Sequence, residues 1–198
     1  MNNLLFFVGL GNPGKKYQRN RHNAGFIVLD YFVNEIYKSK SIDIKQDFKF
    51  NSLIYTFKRE NTDVICVFPL TFMNLSGNAV KQVLDYYKVS DAGKNLVVIH
   101  DDMDIPLGSF KLKFDGGDGG HNGVKSIINY LGKDFGRLRV GISKPIDKNY
   151  KEYVLQDFLN EEWIRLNDIL PTLSSILNNI IREGFEMTMS KIGIFIKK

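Results

Sequence analysis

Apolar residues follow two rhythms along this chain, and the way they alternate predicts the architecture. LLFFVGL is a short apolar run closed by Gly and Pro, the pattern of a buried strand that opens a fold. After a polar loop, AGFIVLDYFVNEIYK places Phe26, Leu29, Phe32, Val33 and Ile36 on one face at helical spacing. DFKFNSLIYTFKRE alternates around a turn, as a hairpin does, and VICVFP reads as another buried strand. Ser76 stands where it would cap a helix running through Ala79, Val83, Leu84 and Tyr87. NLVVIH is a central strand. SFKLKF is an alternating one, with Lys111 and Lys113 on the outer face and Phe110, Leu112 and Phe114 turned inward. Val124, Ile127, Ile128 and Leu131 mark a helix after GGHNG, RLRVGI a further strand, and about 160–184 one long helix interrupted or kinked near Pro171. Strands alternating with helices place the chain in the α/β class. The expected fold is a single-domain three-layer sandwich whose twisted central sheet is mixed, because the hairpin and SFKLKF depart from parallel order.

Composition narrows the class without naming a task. The 198 residues suit one domain spanning 1–198, and no repeat, low-complexity tract or linker-like segment divides them. With 43% hydrophobic and 25% charged residues the chain is globular and not disordered. The net charge of +5 leans toward a polyanionic partner such as nucleic acid. Cys66, the single cysteine, lies in an apolar run and reads as a buried thiol. No intrachain disulfide and no zinc-type Cys/His spacing are possible, which suits the cytoplasm. MNNLLFFVGL lacks a basic leader region and its apolar run is short, so it predicts neither a signal peptide nor a membrane span.

The candidate chemistry gathers in three loops. Each of the three histidines is followed by an amide or a carboxylate: His22-Asn23, His100-Asp101 and His121-Asn122. All three lie at expected strand-to-loop or loop-to-helix junctions, where α/β proteins build sites. His22 ends a basic loop (Lys15, Lys16, Arg19, Arg21) and precedes an apolar helix, so its ring is placed at a cleft wall as a general base. Asp101, just past NLVVIH, is placed to fix the imidazole tautomer and raise its basicity. GLGNPG matches the dinucleotide fingerprint GxGxxG. It then runs into KKYQRNRHN instead of a helix, and Asp30 falls in mid-helix, so its glycines are better read as turning Asn12 into a cleft. HDDMD invites a metal through His100, Asp102 and Asp104, but no further ligand set is evident and no metal is expected; the carboxylates that do not orient His22 are expected to be hydrogen-bonded at the strand end. FPLTFMNLSG offers exposed-looking Phe72 and Met73 with Asn74 ahead of a helix. In GGDGGHNG, four glycines in five positions let the backbone approach a ligand. His121 and Asn122 follow at a helix N-terminus, whose amides can face an anion or a carbonyl oxygen. No side-chain nucleophile competes, so water activated by histidine is the expected nucleophile, and an activated ester the expected bond.

Together these residues resemble the bacterial-type peptidyl-tRNA hydrolase family. The resemblance rests on VGLGNPGKKYQRNRHNAGF, PLTFMNLSGNAV, VVIHDDMDIPLGSFKLKF, GGDGGHNGVKSII, FGRLRVGI and YVLQDF, in family order from the first strand to about Phe158. It implies a monomeric α/β sandwich without cofactor that hydrolyses the ester joining a peptide to the terminal ribose of tRNA, recycling tRNA from aborted translation. It implies that His22 is the base, Asp101 its partner, and Asn12 the residue that tells N-blocked from free aminoacyl ends. Tyr17, Phe72, Asn74 and Asn122 are implied to contact tRNA or peptide, Met73 and His121 to line the same cleft, and Lys111, Lys113 and Arg139 to hold the tRNA backbone. Two positions depart from the pattern: Phe68 stands where lysine is common, and Asp118 adds an anion to the glycine loop. The last forty residues match least. Two other classes remain open from the residues: a non-catalytic RNA-binding protein on the same fold, and a dinucleotide-dependent enzyme.

Overall fold

The computed structural model describes residues 3–89, 91–146 and 148–195, with side chains through residue 192; the expected domain span therefore runs past the described residues at both ends. Among the described residues seven strands form one mixed sheet: β1 (Asn3–Gly9), β2 (Ile44–Lys49), β3 (Ser52–Arg59), β4 (Thr62–Pro69), β5 (Leu96–Asp102), β6 (Phe110–Phe114) and β7 (Gly136–Gly141). Their order is β2-β3-β4-β1-β5-β7-β6. The inner four, β4, β1, β5 and β7, run parallel, while β3 on one side and β6 on the other run opposite to them and β2 pairs antiparallel with β3. The β2–β3 turn holds Phe50 and Asn51 at φ 55° and 50°, the left-handed pair that a two-residue hairpin needs.

Helices cover both faces. Alternation along the central strands sends Phe7, Val97, Ile99, Leu138 and Val140 to one side, where α1 (Ala24–Ser39) and α6 (Asn160–Glu183) pack. It sends Phe6, Val8, Val98 and Leu96 to the other, against α2 (Ser76–Tyr86) and α4 (Asn122–Leu131). Three shorter elements complete the order: α3 (Ala92–Asn95), α5 (Tyr150–Leu155) and α7 (Phe185–Phe195). Sequence periodicity does not announce α5 or α7.

Three details of the expected elements are corrected. Ser76 does not cap α2: it is the helix's first residue, and its hydroxyl donates to the Met73 carbonyl at 3.0 Å. The long C-terminal helix is not interrupted, since α6 continues through Pro171; buried Leu166 and Leu170 before it and Leu173 and Leu177 after it hold both halves to one core. Phe114 does not turn fully inward: it is 37% exposed and meets Phe185 from α7, with ring centroids 6.4 Å apart.

Candidate active site

The site lies where β1 and β5 end and α1 and α4 begin. Gly25 permits this closeness: a Cβ there would fall 2.2 Å from the Ile99 carbonyl oxygen and 2.5 Å from the Leu10 nitrogen, so any side chain would push α1 off the strand ends. The 3₁₀ turn Arg21–Asn23 that leads into α1 is thereby set over Asp101. His22 Nδ1 lies 3.0 and 3.1 Å from the two Asp101 carboxylate oxygens, and both side chains are buried. His121 Nε2 approaches the same Oδ1 at 3.0 Å. One carboxylate thus serves two imidazoles.

The proton positions follow from the remaining bonds. His121 caps α4, its Nδ1 accepting from the Gly123 and Val124 amides at 3.1 and 3.3 Å. An accepting Nδ1 leaves the proton of the neutral ring on Nε2, which donates to Asp101. Asp101 then takes the Nδ1–H of His22 as well, which leaves His22 Nε2 as a lone-pair acceptor on a ring that lines the cleft. Burial alone would depress the His22 imidazolium, but the Asp101 charge and hydrogen bond outweigh it and raise its pKa above 6.5. Burial opposes the Asp101 charge in the same way, yet His22 and His121 hold that carboxyl well below the usual range. His100 also borders the cleft, its ring centroid 5.0 Å from that of His121; it donates from Nδ1 to the Asp101 carbonyl at 2.7 Å and is pushed down to about 3 by burial and by neighbouring His121. So low a pKa makes it a poor proton acceptor.

The cluster His22, Asp101 and His121 has the composition of a metal site, with one ligand atom of each within 4.8 Å of the others. The hydrogen bonds argue for protons in its place. A cation on His121 Nε2 would have to expel the proton while Nδ1 still accepts two helix amides, leaving an imidazolate or an uncapped helix. The same bonds correct the expectation that the α4 amides face an anion, because the His121 ring already occupies them. Cys66 is fully buried and its pKa is pushed up, so no thiolate competes.

Asn12 and Asn23 complete the floor. Asn23 grips the Asn12 backbone from both sides, accepting from its N–H at 2.8 Å and donating to its carbonyl at 3.0 Å. Asn12 Oδ1 accepts the Met73 amide at 2.9 Å, so what its side chain offers the cleft is the NH₂ group, a donor. The GLGNPG loop therefore serves to present Asn12, and the helix of a dinucleotide site is missing: two 3₁₀ turns intervene before α1 begins at Ala24.

The cleft above has a volume of about 700 Å³ and is lined by Asn12, His22, Phe72, Met73, Asn74, Asp101, His121 and Asn122, the expected residues brought together. Phe72 stands out at its rim, 56% exposed; Met73, expected to be exposed as well, is buried, its sulfur over Gly123, where a Cβ would lie 2.4 Å away. Tyr17 is not among the lining residues; it lies half-buried on its loop with the Lys16 ammonium 4.7 Å from the ring. Asp118 orders the glycine loop by accepting the Gly120 amide at 2.7 Å, and Phe68 is buried edge-on against Phe26 and Tyr55, so neither departure disturbs the dyad.

Opposite the dyad, the cleft wall is made by Tyr150, Val154 and Leu155 of α5, which sequence reasoning missed. Arg21 ties that wall to the catalytic turn. Its guanidinium is buried, pairs with Glu162, lies 4.2 Å from the Tyr153 ring centroid, and donates to the Tyr153 and Gln156 carbonyls at 3.4 Å. A basic loop reads as solvated, and nothing in its composition singles Arg21 out.

The basic residues form a row across the sheet beside the cleft. Lys111 faces Arg139, and Lys113 faces Arg137, in the β6–β7 register. Lys111 and Lys113 are exposed. Arg137 is buried and donates to the Gly116 and Gly117 carbonyls, bracing the glycine loop. Arg139 reaches the cleft margin and donates from Nε to Asp102 at 2.7 Å. Asp102 and Asp104 are held at the strand end as expected, Asp104 by Lys144 at 2.6 Å.

A sequence model of the peptidyl-tRNA hydrolase family matches residues 6–197. The chain belongs to the peptidyl-tRNA hydrolase family. Curated relatives under that name agree along their length. The one from Mycoplasma capricolum is 45% identical over 95% of this chain and 99% of its own, and that from Thermodesulfovibrio yellowstonii 40% identical over 94% and 97%. A crystal structure of peptidyl-tRNA hydrolase from Acinetobacter baumannii superposes with a TM-score of 0.85 at 32% identity, covering 97% of this chain and 95% of that one. Peptidyl-tRNA hydrolase membership accounts for the α/β sandwich. Among the described residues no helix is long and apolar enough to cross a membrane.

Proposed function

We propose that this protein hydrolyses the ester between peptide and tRNA in peptidyl-tRNA, acting without a cofactor, as a monomer in the cytoplasm. The observation that carries the reading is the His22–Asp101 pair, whose bonding leaves Nε2 as the acceptor for a water proton at the cleft. Water so activated attacks the ester carbonyl. Charge builds on that oxygen, and the Asn12 NH₂ is the donor available to it. The proton taken by His22 then passes to the departing ribose oxygen. Asn74 and Asn122 serve the peptide backbone and Phe72 gives an apolar rim; a non-catalytic RNA binder would have no use for the dyad. The direct test is single-turnover cleavage of peptidyl-tRNA by the purified protein, with absence of ester cleavage as the outcome against it.

Asn12 also sets the preference for blocked ends. Its NH₂ suits a carbonyl oxygen, whereas a free α-ammonium meets donor against donor and loses its solvation. Asn12→Asp keeps an acceptor for the Met73 amide and exchanges the NH₂ for an anionic oxygen. The ratio of rates on N-blocked over free aminoacyl substrates should narrow by about tenfold, the value of one charge-assisted hydrogen bond. A ratio equal to that of the unaltered protein removes Asn12 from this role.

Lys111, Lys113 and Arg139 hold the tRNA backbone. Each phosphate contact releases counterions, so removing one should lower the magnitude of the salt slope by about 0.7–0.9. The Michaelis constant for full peptidyl-tRNA should rise more than that for a minimal peptidyl-nucleotide ester. Equal losses on the two substrates would assign these residues to the fold.

A further inference from the structure

Asp102 immediately follows the carboxylate that orients the base, and its own carboxylate does something different with each oxygen. Oδ2 accepts from Arg139 Nε at 2.7 Å, and Oδ1 accepts the Asp104 amide at 2.8 Å. The Asp102 and Arg139 side chains are 13% and 23% exposed, so the pair sits at the cleft margin. The bond uses the inner nitrogen of the guanidinium. The outer Nη pair, the edge that matches two phosphate oxygens, has no partner among the described residues. Lys111, opposite Arg139 in the register, is a flexible exposed ammonium, and no ion pair is found for it among the described residues.

We propose that Asp102 is a positioning residue for tRNA recognition: it fixes Arg139 by Nε so that the Nη edge is presented to a backbone phosphate beside the cleft. The inference rests on the reading of the basic row as the tRNA-binding face. Its physical content is preorganisation. An arginine side chain has large rotamer freedom, and a free one loses that freedom when the phosphate arrives, whereas a buttressed one has lost it already. The carboxylate also fixes where the phosphate lands relative to the base, because the residue that holds Arg139 adjoins the one that holds His22. Simple charge counting makes the opposite prediction. An anion beside a phosphate site repels the ligand, so removing it would tighten binding.

The sign of the effect therefore decides the matter. Michaelis constants would be measured for peptidyl-tRNA and for a minimal peptidyl-nucleotide ester with Asp102→Asn, Arg139→Gln and the double variant. Asparagine has one oxygen for two donors, so the Arg139 buttress is weakened while net positive charge increases. On full peptidyl-tRNA, Asp102→Asn should raise the Michaelis constant about five- to tenfold more than on the short ester, a loss of the size that freeing one phosphate-binding arginine entails. Arg139→Gln should give a comparable excess, and the double variant no more than Arg139→Gln alone. A lower Michaelis constant with a steeper salt dependence in Asp102→Asn overturns the proposal, since the carboxylate would only be subtracting charge. Equal losses on both substrates, centred on turnover, also overturn it and assign Asp102 to the strand end that carries Asp101. If Arg139→Gln itself shows no excess on full tRNA, the basic-row reading fails on its own, whatever Asp102→Asn does.

Discussion

Replacing His22 by Ala should lower turnover on peptidyl-tRNA by about 10²–10⁴-fold, the range for a positioned general base. The substitution removes the unprotonated nitrogen that Asp101 orients toward the cleft. His121 cannot take over: its Nδ1 is occupied by two helix amides and its Nε2 carries the proton given to Asp101. His100 cannot either, since burial pushes its pKa down to about 3, too low for an effective proton acceptor. Binding of tRNA should survive, because the basic row stands apart from the imidazole. A stopped assay under single-turnover conditions, paired with a filter-binding measurement on uncharged tRNA, separates the two quantities. Turnover close to that of the unaltered protein would end the assignment of His22 as base.

Asp101→Asn should cost less than loss of the base itself, and should change the shape of the pH profile as well as its height. The smaller loss follows from the shared oxygen. Both imidazole N–H groups lie 3.0 Å from Oδ1, so an asparagine whose oxygen takes that place keeps an acceptor for each, although its NH₂ then stands at the Oδ2 position, 3.1 Å from His22 Nδ1, and loosens the hold on the ring. In the reverse orientation the amide NH₂ opposes His22 Nδ1 and moves the proton to Nε2, where it abolishes the base. For the sign, the unaltered His22 has a raised pKa, so its neutral, active form is lost as pH falls through a value above 6.5. Without the Asp101 charge, burial is left to dominate and lowers that pKa. The acidic limb of the rate profile should therefore move to lower pH in the variant. A limb that stays in place would show that another group sets the basicity of His22.

How far the chain could be read in advance depended on whether a residue's role was local. Strands β1, β4 and β5 are apolar runs bounded by turn residues, and α1 shows its buried stripe directly, so the layers followed from period alone. His22 and Asp101 were legible because each sits at the junction of a readable element. The sharing of Asp101 with His121 was not, since it depends on which way a ring turns to cap α4. Met73 looked like a rim residue because its burial comes from Gly123, fifty positions further on. The α5 wall carries no clear apolar period, and none of its residues is buried by the helix itself. Arg139 was placed on the correct face, but its carboxylate partner on another strand could not be inferred from the spacing in RLRVGI.

The bond from Arg21 to Glu162 spans 141 positions, and this gives the molecule an order of assembly. A chain leaving the ribosome presents its N-terminal part first, so the strand that ends at Gly9 and the turn bearing His22 emerge long before α5 and α6 exist. During that interval Arg21 has neither Glu162 nor the Tyr153 and Phe158 rings against which it is later enclosed. Sealing an unpaired guanidinium would cost about 3–5 kcal/mol, so the nascent turn keeps it in water and the second wall of the cleft stays unmade. The enclosure of the catalytic turn thus depends on a partner near the far end of the chain, and a copy ending before residue 162 would lack the ion pair that lets Arg21 be buried beside His22.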